Sequence, residues 1–188
     1  MAGMYIGVSN VARKVKNQYI GVGSVARKIK NGFIGVSSVA RKFFSSLEYT
    51  TYSTGTWSSK SVSESGGLVI TGTGAGLSSR FGVVFDASQF GLTKFDSTVS
   101  ITYTLSRTLS SSYEYAAVSF GNDDDPDLYG HKNFANTASS ASGTYTATHT
   151  ANTGASNKLM ISIYHNRSTS GTVTLTITSL KVDGVEYL

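Results

Sequence analysis

The 188-residue sequence contains no cysteine, only one proline and few charged residues, which make up 14% of the chain. Without cysteine the chain cannot form disulfides, thiolate nucleophiles or cysteine-ligated zinc sites. No apolar run approaches the ~18 residues of a membrane-spanning helix, so we expect no membrane contact. The low content of charged residues also disfavours coiled coils and long solvent-exposed helices.

Serine and threonine take the place of the missing charges, with 30 serines and 22 threonines beside 20 glycines. Hydrophobic residues form 39% of the chain, which is enough to build a core. Threonine alternating with aliphatic and aromatic residues is typical of strands, and glycine is typical of the turns between them. The composition therefore predicts an all-β protein.

The net positive charge is confined to the first 44 residues. That segment holds eight basic and no acidic residues, whereas residues 45–188 hold eight basic and eleven acidic residues. The formal net charge of +5 thus combines a strongly basic segment with a mildly acidic remainder. Such an asymmetry indicates a basic arm that meets a partner of opposite charge.

The basic segment is a threefold repeat of fourteen residues: YIGVSNVARKVKNQ from Tyr5, YIGVGSVARKIKNG from Tyr19 and FIGVSSVARKFFSS from Phe33. Residues 9–10, 23–24 and 37–38 stand where two-residue hairpin loops are needed. With a loop at 9–10, Val8 faces Val11 and Tyr5 faces Lys14. Pairing of Lys16 with Tyr19 would continue the same pattern into a six-stranded β-meander. The alternative, a one-turn helix in each repeat, is disfavoured because seven residues are too few for a stable helix.

The predicted meander has two unlike faces, one apolar and crossed by arginines, the other mixing aromatic residues with lysines. A single small sheet is not stable alone, so we predict that the segment docks on a partner. Packing of the arginine stems within the chain is the alternative. The predicted docking residues are Arg13, Lys14, Arg27, Lys28, Arg41, Lys42, Tyr5, Tyr19 and Phe33.

From about residue 48 the sequence alternates between apolar and threonine-rich positions, with glycine and serine clusters between the runs. The alternation predicts a jelly-roll-like β-sandwich. The predicted strands cover residues 68–72, 80–86, 98–105, 114–121, 144–149, 159–164, 172–178 and 179–187, the last with a tight Asp-Gly turn. The predicted organisation is a basic repeat docking segment at 1–47 and a β-sandwich domain at 48–188.

Two groups of residues in the body are candidates for ligand binding. Trp57, Tyr113, Tyr115 and Tyr129 could form a platform for stacking sugars, although packing in the core is the alternative for each ring. The cluster from Asn122 to Asp127 offers Asp123, Asp125 and Asp127 as calcium ligands. Its spacing does not match a helix-flanked calcium loop, so a solvated loop is favoured and we predict no metal and no cofactor.

No catalytic motif is present: the sequence lacks the GxSxG nucleophile elbow, and the glycines at 72–76 lack the lysine of a phosphate-binding loop. We therefore predict that the chain is not an enzyme.

The repeat motif YIGVxxVARKVK, over about residues 4–44, resembles N-terminal segments of virion structural proteins from tailed bacteriophages and prophages. The resemblance implies a non-enzymatic capsid-decoration or tail and baseplate protein, present in several copies or as a homo-oligomer among other virion proteins. It also implies location in the virion, after assembly in the host cytoplasm. Two alternatives stay open. One is a carbohydrate-binding adhesion module for a host-surface glycan. The other is a nucleic-acid-binding protein, which is disfavoured because no established nucleic-acid-binding signature is present.

Overall fold

The chain forms antiparallel β-structure almost throughout, in a computed structural model. The structure describes residues 5–8, 11–14, 18–22, 25–29, 31–36, 39–45, 47–64, 66–108, 114–128, 131–135, 140–150, 156–165 and 169–188. The chain divides into two compact units, Met1–Leu47 with Tyr187, and Glu48–Glu186 with Leu188. In the described part, no helix is long and apolar enough to span a membrane.

Each repeat of the first unit forms one two-stranded hairpin. The strands are β1 (Tyr5–Val8), β2 (Val11–Lys14), β3 (Gln18–Val22), β4 (Val25–Ile29), β5 (Asn31–Val36) and β6 (Val39–Ser45). Val8 lies opposite Val11 and Tyr5 opposite Lys14, so the predicted register within the repeat is confirmed.

The pairing between hairpins that the predicted meander requires is not seen in the part of the chain that the structure describes. Within the described residues no ladder joins one hairpin to the next, and the three form separate two-stranded sheets. A tight antiparallel turn needs two loop residues, whereas a single residue, Lys30, separates β4 from β5 in the sequence. The third hairpin also has a bulge, because Gly32 lies opposite Phe44 and Phe33 opposite Lys42.

The second unit is a sandwich of two antiparallel sheets, and the predicted all-β, jelly-roll-like class is confirmed. Its strands are β7 (Thr50–Thr54), β8 (Trp57–Ser63), β9 (Leu68–Ala75), β10 (Ser79–Asp86), β11 (Ser97–Arg107), β12 (Glu114–Gly121), β13 (His131–Phe134), β14 (Ala141–His149), β15 (Lys158–His165), β16 (Thr169–Val182) and β17 (Val185–Glu186). A 3-10 turn covers Ala87–Phe90. The five-stranded sheet has the order β13-β12-β15-β10-β7, and the six-stranded sheet has the order β14-β11-β16-β9-β8 with β17 beside β16.

The core lies between the two sheets and follows from alternation along the strands. In β10 and β15 every second side chain is aliphatic or aromatic and points inward, as Phe85 and Ile161 do. Leu105 and Leu175 face them from the six-stranded sheet, and all four side chains are completely buried. The apolar alternation in the sequence thus marks the inner face of both sheets.

The outer surface of the six-stranded sheet is covered by hydroxyl groups, and we call it the hydroxyl face. Threonine and serine side chains form hydrogen bonds across neighbouring strands of this face. The pairs are Thr98–Thr148, Thr102–Thr144, Ser100–Thr146, Thr71–Thr174 and Thr73–Thr172, with oxygen–oxygen distances of 2.8–3.3 Å. These residues are the threonines and serines that alternate with apolar residues in the sequence.

The predicted strands of the body fall within observed strands, except the last, which is divided differently and ends at Glu186. The runs at 172–178 and 179–187 were predicted as separate strands but join in β16, where the register shifts opposite Thr102 and Tyr103. A β-bulge there absorbs one extra residue, and the predicted Asp-Gly turn then leads to β17. Strands β7, β8 and β13 were not predicted.

Candidate functional site

The outer surface of the five-stranded sheet carries a row of large side chains across three strands. Arg80 of β10 lies opposite Tyr164 of β15, which lies opposite Tyr115 of β12. The next residue along β10, Phe81, is buried in the core, so Arg80 points to the outer side of the sheet. The same alternation puts Tyr164 outside, next to the buried Ile163.

The row is a continuous stack. The rings of Tyr115 and Tyr164 are stacked, with centroids 4.7 Å apart and planes inclined by 28°. The guanidinium carbon of Arg80 lies 5.0 Å from the centroid of the Tyr164 ring, within the range of a cation–π contact. The ring of Tyr164 therefore lies between a second ring and a cation, which restricts its orientation.

A loop folds back towards this row and supplies a negative charge. The acidic loop, residues 122–128, joins β12 to the following part of the chain, and its Asp127 forms an ion pair with Arg80. The side chain of Arg80 is only 6% exposed and that of Asp127 is 24% exposed. Because the pair is shielded from water, breaking it would leave an uncompensated buried charge, so the loop is held at Arg80.

Hydrogen bonds from within the acidic loop fix its shape. The side-chain oxygen of Asn122 accepts from the backbone N–H groups of Asp124 at 3.0 Å and Asp125 at 2.8 Å. Asp125 in turn accepts from the N–H of Asp127 at 2.9 Å. Gly121 is required at the base of the loop, because a Cβ atom there would collide with the backbone of Asp125 and Pro126. These contacts hold Asp127 in position for Arg80.

A third tyrosine lies on the same surface. Tyr52 of β7 is opposite Gly82 of β10, the position next to Arg80 on the outer side of that strand, and it is half-buried. Burial, followed by the negative charge of Asp125, raises the pKa of the Tyr52 hydroxyl. We call Tyr52, Arg80, Tyr115, Asp127 and Tyr164 the aromatic face.

Burial, and then the neighbouring Tyr164, raises the pKa of the Tyr115 hydroxyl to about 12. The hydroxyl also shares a side-chain hydrogen bond with Asn133 of β13. At neutral pH the phenols of Tyr52 and Tyr115 stay protonated, so each can donate as well as accept a hydrogen bond. Aromatic surface, hydroxyl donors and a fixed ion pair suit this face to binding.

Of the predicted sugar platform, the structure describes Trp57 and Tyr115, and it places them in different sheets. Trp57 lies at the start of β8 in the other sheet, with its ring edge-on to Phe81 at 6.2 Å and to His165 at 5.0 Å. Its indole N–H donates to the carbonyl oxygens of Thr54 at 3.2 Å and Arg80 at 3.3 Å. Trp57 therefore packs between the sheets, whereas Tyr115 points to the outer side of the five-stranded sheet, where it is only 8% exposed. The other two predicted members, Tyr113 and Tyr129, lie outside the described residues.

The three aspartates considered for calcium are engaged by protein groups. Asp123 pairs with Lys158 at 2.7 Å and accepts a hydrogen bond from Asn157 at 3.0 Å. These hydrogen bonds, that from Lys158 first, lower the pKa of the Asp123 carboxyl. Asp127 is committed to Arg80, and Asp125 to the backbone of the loop. Over the described residues, no three histidine or acidic side chains are placed to hold a metal ion.

The predicted docking residues lie on the hairpins in matching positions. In each hairpin an aromatic residue lies opposite the lysine of the motif, and an isoleucine lies opposite the arginine. The aromatic pairs are Tyr5–Lys14, Tyr19–Lys28 and Phe33–Lys42, and the arginine pairs are Ile6–Arg13, Ile20–Arg27 and Ile34–Arg41. The division into an apolar face crossed by arginines and a face of aromatic residues and lysines stays a prediction.

Comparisons with known proteins identify no family. No family model matches the chain, and no curated protein matches it. Among solved structures, a mutant of xylanase 10C from Cellvibrio japonicus in complex with xylopentaose matches 72% of the chain at 17% identity, with a TM-score of 0.45. The chain covers 26% of that protein. A carbohydrate-binding module, CBM4, matches 69% of the chain and is covered to 77%, at 16% identity and a TM-score of 0.41.

Reasoning from the sequence found one of the five residues of the aromatic face as a sugar-binding candidate, Tyr115, and named Asp127 only as a calcium ligand. It missed Tyr52, Arg80 and Tyr164. Tyr164 could have been found, because it is the outward residue at the end of an apolar alternation that includes Ile161 and Ile163. Arg80 and Tyr52 had no comparable signal, since only the pairing of distant strands places them beside Tyr164.

Proposed function

We propose that the sandwich is a non-enzymatic binding module that recognises a glycan through the aromatic face. The observation that carries this proposal is the stacked row of Arg80, Tyr164 and Tyr115, in which the buried Arg80 and Tyr115 hold the half-buried ring of Tyr164 in position. A tyrosine ring offers an apolar surface to the C–H face of a sugar, and its hydroxyl offers a hydrogen bond. The exposed parts of Tyr52 and Tyr164 belong to two strands separated by β10, so the face is wide enough for more than one sugar ring.

The charges near this face favour an uncharged glycan over an acidic one. The guanidinium of Arg80 is already paired with Asp127, and the acidic loop adds Asp123, Asp124 and Asp125 beside the face. These carboxylates would repel an anionic sugar, and Arg80 would not bind it because Arg80 is already paired with Asp127. Neutral polysaccharides fit the chemistry, with Asn133 and the Tyr52 hydroxyl as partners for sugar hydroxyl groups.

Affinity electrophoresis tests the proposal with soluble hydroxyethylcellulose, xylan, galactomannan and alginate in the gel. At least one neutral polysaccharide should retard the full chain, and alginate should not. Tyr164→Ala and Tyr52→Ala should each abolish most of the retardation. Thr104→Ala on the exposed hydroxyl face is the matched control and should leave it unchanged. Retardation that is equal in all variants, or absent with all four polymers, would refute the proposal.

We propose a second, separate role for the first unit: its repeats dock the chain on a larger virion assembly. Eight basic residues without an acid repel one another unless a partner supplies negative charge. Hairpins of four to seven residues per strand also gain little stability alone. Reversal of Arg13, Arg27 and Arg41 to Glu should abolish incorporation into the parent assembly. Incorporation that survives the triple reversal would count against docking through these arginines.

A further inference from the structure

Both sheets of the sandwich end in edge strands, and three of these four edges carry features that oppose pairing with another chain. Strand β7 has five residues, and β13 has four residues with an exposed lysine, Lys132. Strand β8 is longer, but its Lys60 donates to Ser53 of the other sheet at 2.6 Å and lies 5.6 Å from the ring centroid of Phe81. A charged side chain directed inward from an edge strand, like a short strand, discourages edge-to-edge pairing.

The fourth edge, β14, has none of these features. It runs for nine residues, ASGTYTATH, without proline, lysine, arginine or an acidic residue. Along its whole length it pairs with β11 on one side, from Ser97 opposite His149 to Leu105 opposite Ala141. Among the described residues no strand pairs with its other side. A long, uncharged edge of this kind is a template for another strand.

We propose that the free edge of β14 binds β14 of a second copy of this chain in antiparallel orientation, joining two six-stranded sheets into one. A twofold axis through Tyr145 sets the register, so Thr144 faces Thr146 of the second copy and Ser142 faces its Thr148. Every pair on the hydroxyl face then joins two hydroxyl groups, and no like charges oppose each other. The strand is therefore complementary to itself, as a twofold interface requires.

The contacts that β14 already makes support this choice of partner. Its other neighbour, β11, is also antiparallel and rich in hydroxyl groups, and the two strands form three cross-strand hydroxyl pairs at 3.2–3.3 Å. A second β14 offers the same chemistry at the same spacing. On the inner side of the strand Gly143 would face Ala147 of the second copy. A Cβ atom at Gly143 would meet nothing within 4 Å, so no side chain obstructs the approach there.

Charge substitutions at two exposed positions of β14 test both the interface and its register. In the double variant Thr144→Lys/Thr146→Lys, the twofold register puts the lysine at position 144 of each copy opposite the lysine at position 146 of the other copy. Each dimer then contains two like-charged pairs. In Thr144→Lys/Thr146→Glu the same register pairs the introduced lysine with the introduced glutamate, again twice per dimer. Ser59→Lys/Ser61→Lys on exposed positions of the β8 edge is the matched control. Thermal melting shows that each variant is folded before it is compared.

Sedimentation equilibrium of the full chain should show a dimer. The lysine–lysine variant should weaken dimerisation by about tenfold or more, because like charges then oppose each other at close range. The lysine–glutamate variant and the β8 control should stay dimeric, and added salt should partly restore the lysine–lysine dimer. A monomeric wild type, equal dimerisation by the lysine–lysine variant, or a lysine–glutamate variant as weak as the lysine–lysine variant would each overturn the proposal.

Discussion

A buried histidine should make the sandwich sensitive to acid. His165, the last residue of β15, is completely buried, and its Nδ1 atom lies 3.4 Å from a carboxylate oxygen of the buried Glu114. The ring of Trp57 closes over it edge-on, with centroids 5.0 Å apart. Burial, and then the positive charge of Arg107, lowers the pKa of His165 from 6.5 to about 4.

The direction of the effect follows from which state takes up the proton. Below about pH 6.5 the unfolded chain protonates His165, whereas the folded chain does so only near pH 4. Stability attributable to this residue is therefore complete above pH 6.5 and falls as the pH drops towards 4. A shift of this size corresponds to about 3 kcal/mol in full, of which about 2 to 3 kcal/mol is lost by pH 4.5.

Urea unfolding at pH 7.5 and about pH 4.5 measures this loss. For the wild type and for His165→Gln, the loss of unfolding free energy between the two pH values is determined. Comparing the two losses cancels any effect of the substitution on stability that does not depend on pH. Glutamine does not titrate, so the variant should lose about 2 to 3 kcal/mol less than the wild type. Burial also lowers the pKa of His149, so His149→Gln, which keeps His165, should reduce the loss less than His165→Gln does. Equal losses in the wild type and His165→Gln would show that His165 is not buried as a neutral group.

Three further predictions concern the body of the protein. Asp127→Asn should reduce the free energy of unfolding by about 1.5–3 kcal/mol in urea titrations, because the buried guanidinium of Arg80 loses a charged partner, whereas Asp124→Asn on the exposed part of the loop should change it little. Gly72→Ala should cost about 1–3 kcal/mol because its Cβ atom would collide with the Trp57 ring and approach Ile163 to 2.9 Å, while Gly143→Ala meets no such obstacle. A fragment of residues 48–188 should melt cooperatively in calorimetry, since the core described above lies wholly within it; a fragment without a melting transition would show that the repeats are needed for folding.

Strands with a regular apolar alternation could be predicted from the sequence because one face of each is buried. In β11, for example, Val99, Ile101 and Leu105 are buried and alternate with threonines and serines. Strands β7 and β8 lack this signal, since TTYST and WSSKSVS contain few apolar residues and lie at sheet edges. The join at 178–179 was missed because a bulge breaks the period of two at that point.

The aromatic face could be predicted only in part, because it depends on strand pairings that are distant in sequence. Arg80 and Tyr164 are opposite each other only because β10 pairs with β15. Trp57 was grouped with Tyr115 on the basis of residue type, but the two belong to different sheets. Residue type therefore pointed to aromatic side chains as binding candidates, and the topology decided which rings lie on the same face.

Backbone amide NMR of the full chain tests glycan binding by the aromatic face most directly. The isotope-labelled protein is titrated with a soluble oligosaccharide of the polymer that retards it in affinity electrophoresis. Amide shifts should concentrate at Tyr52, Arg80, Asp127, Asn133 and Tyr164, with the hydroxyl face unaffected. Shifts that concentrate on the hydroxyl face instead, or a spectrum unchanged at saturating oligosaccharide, would contradict the assignment of glycan binding to the aromatic face.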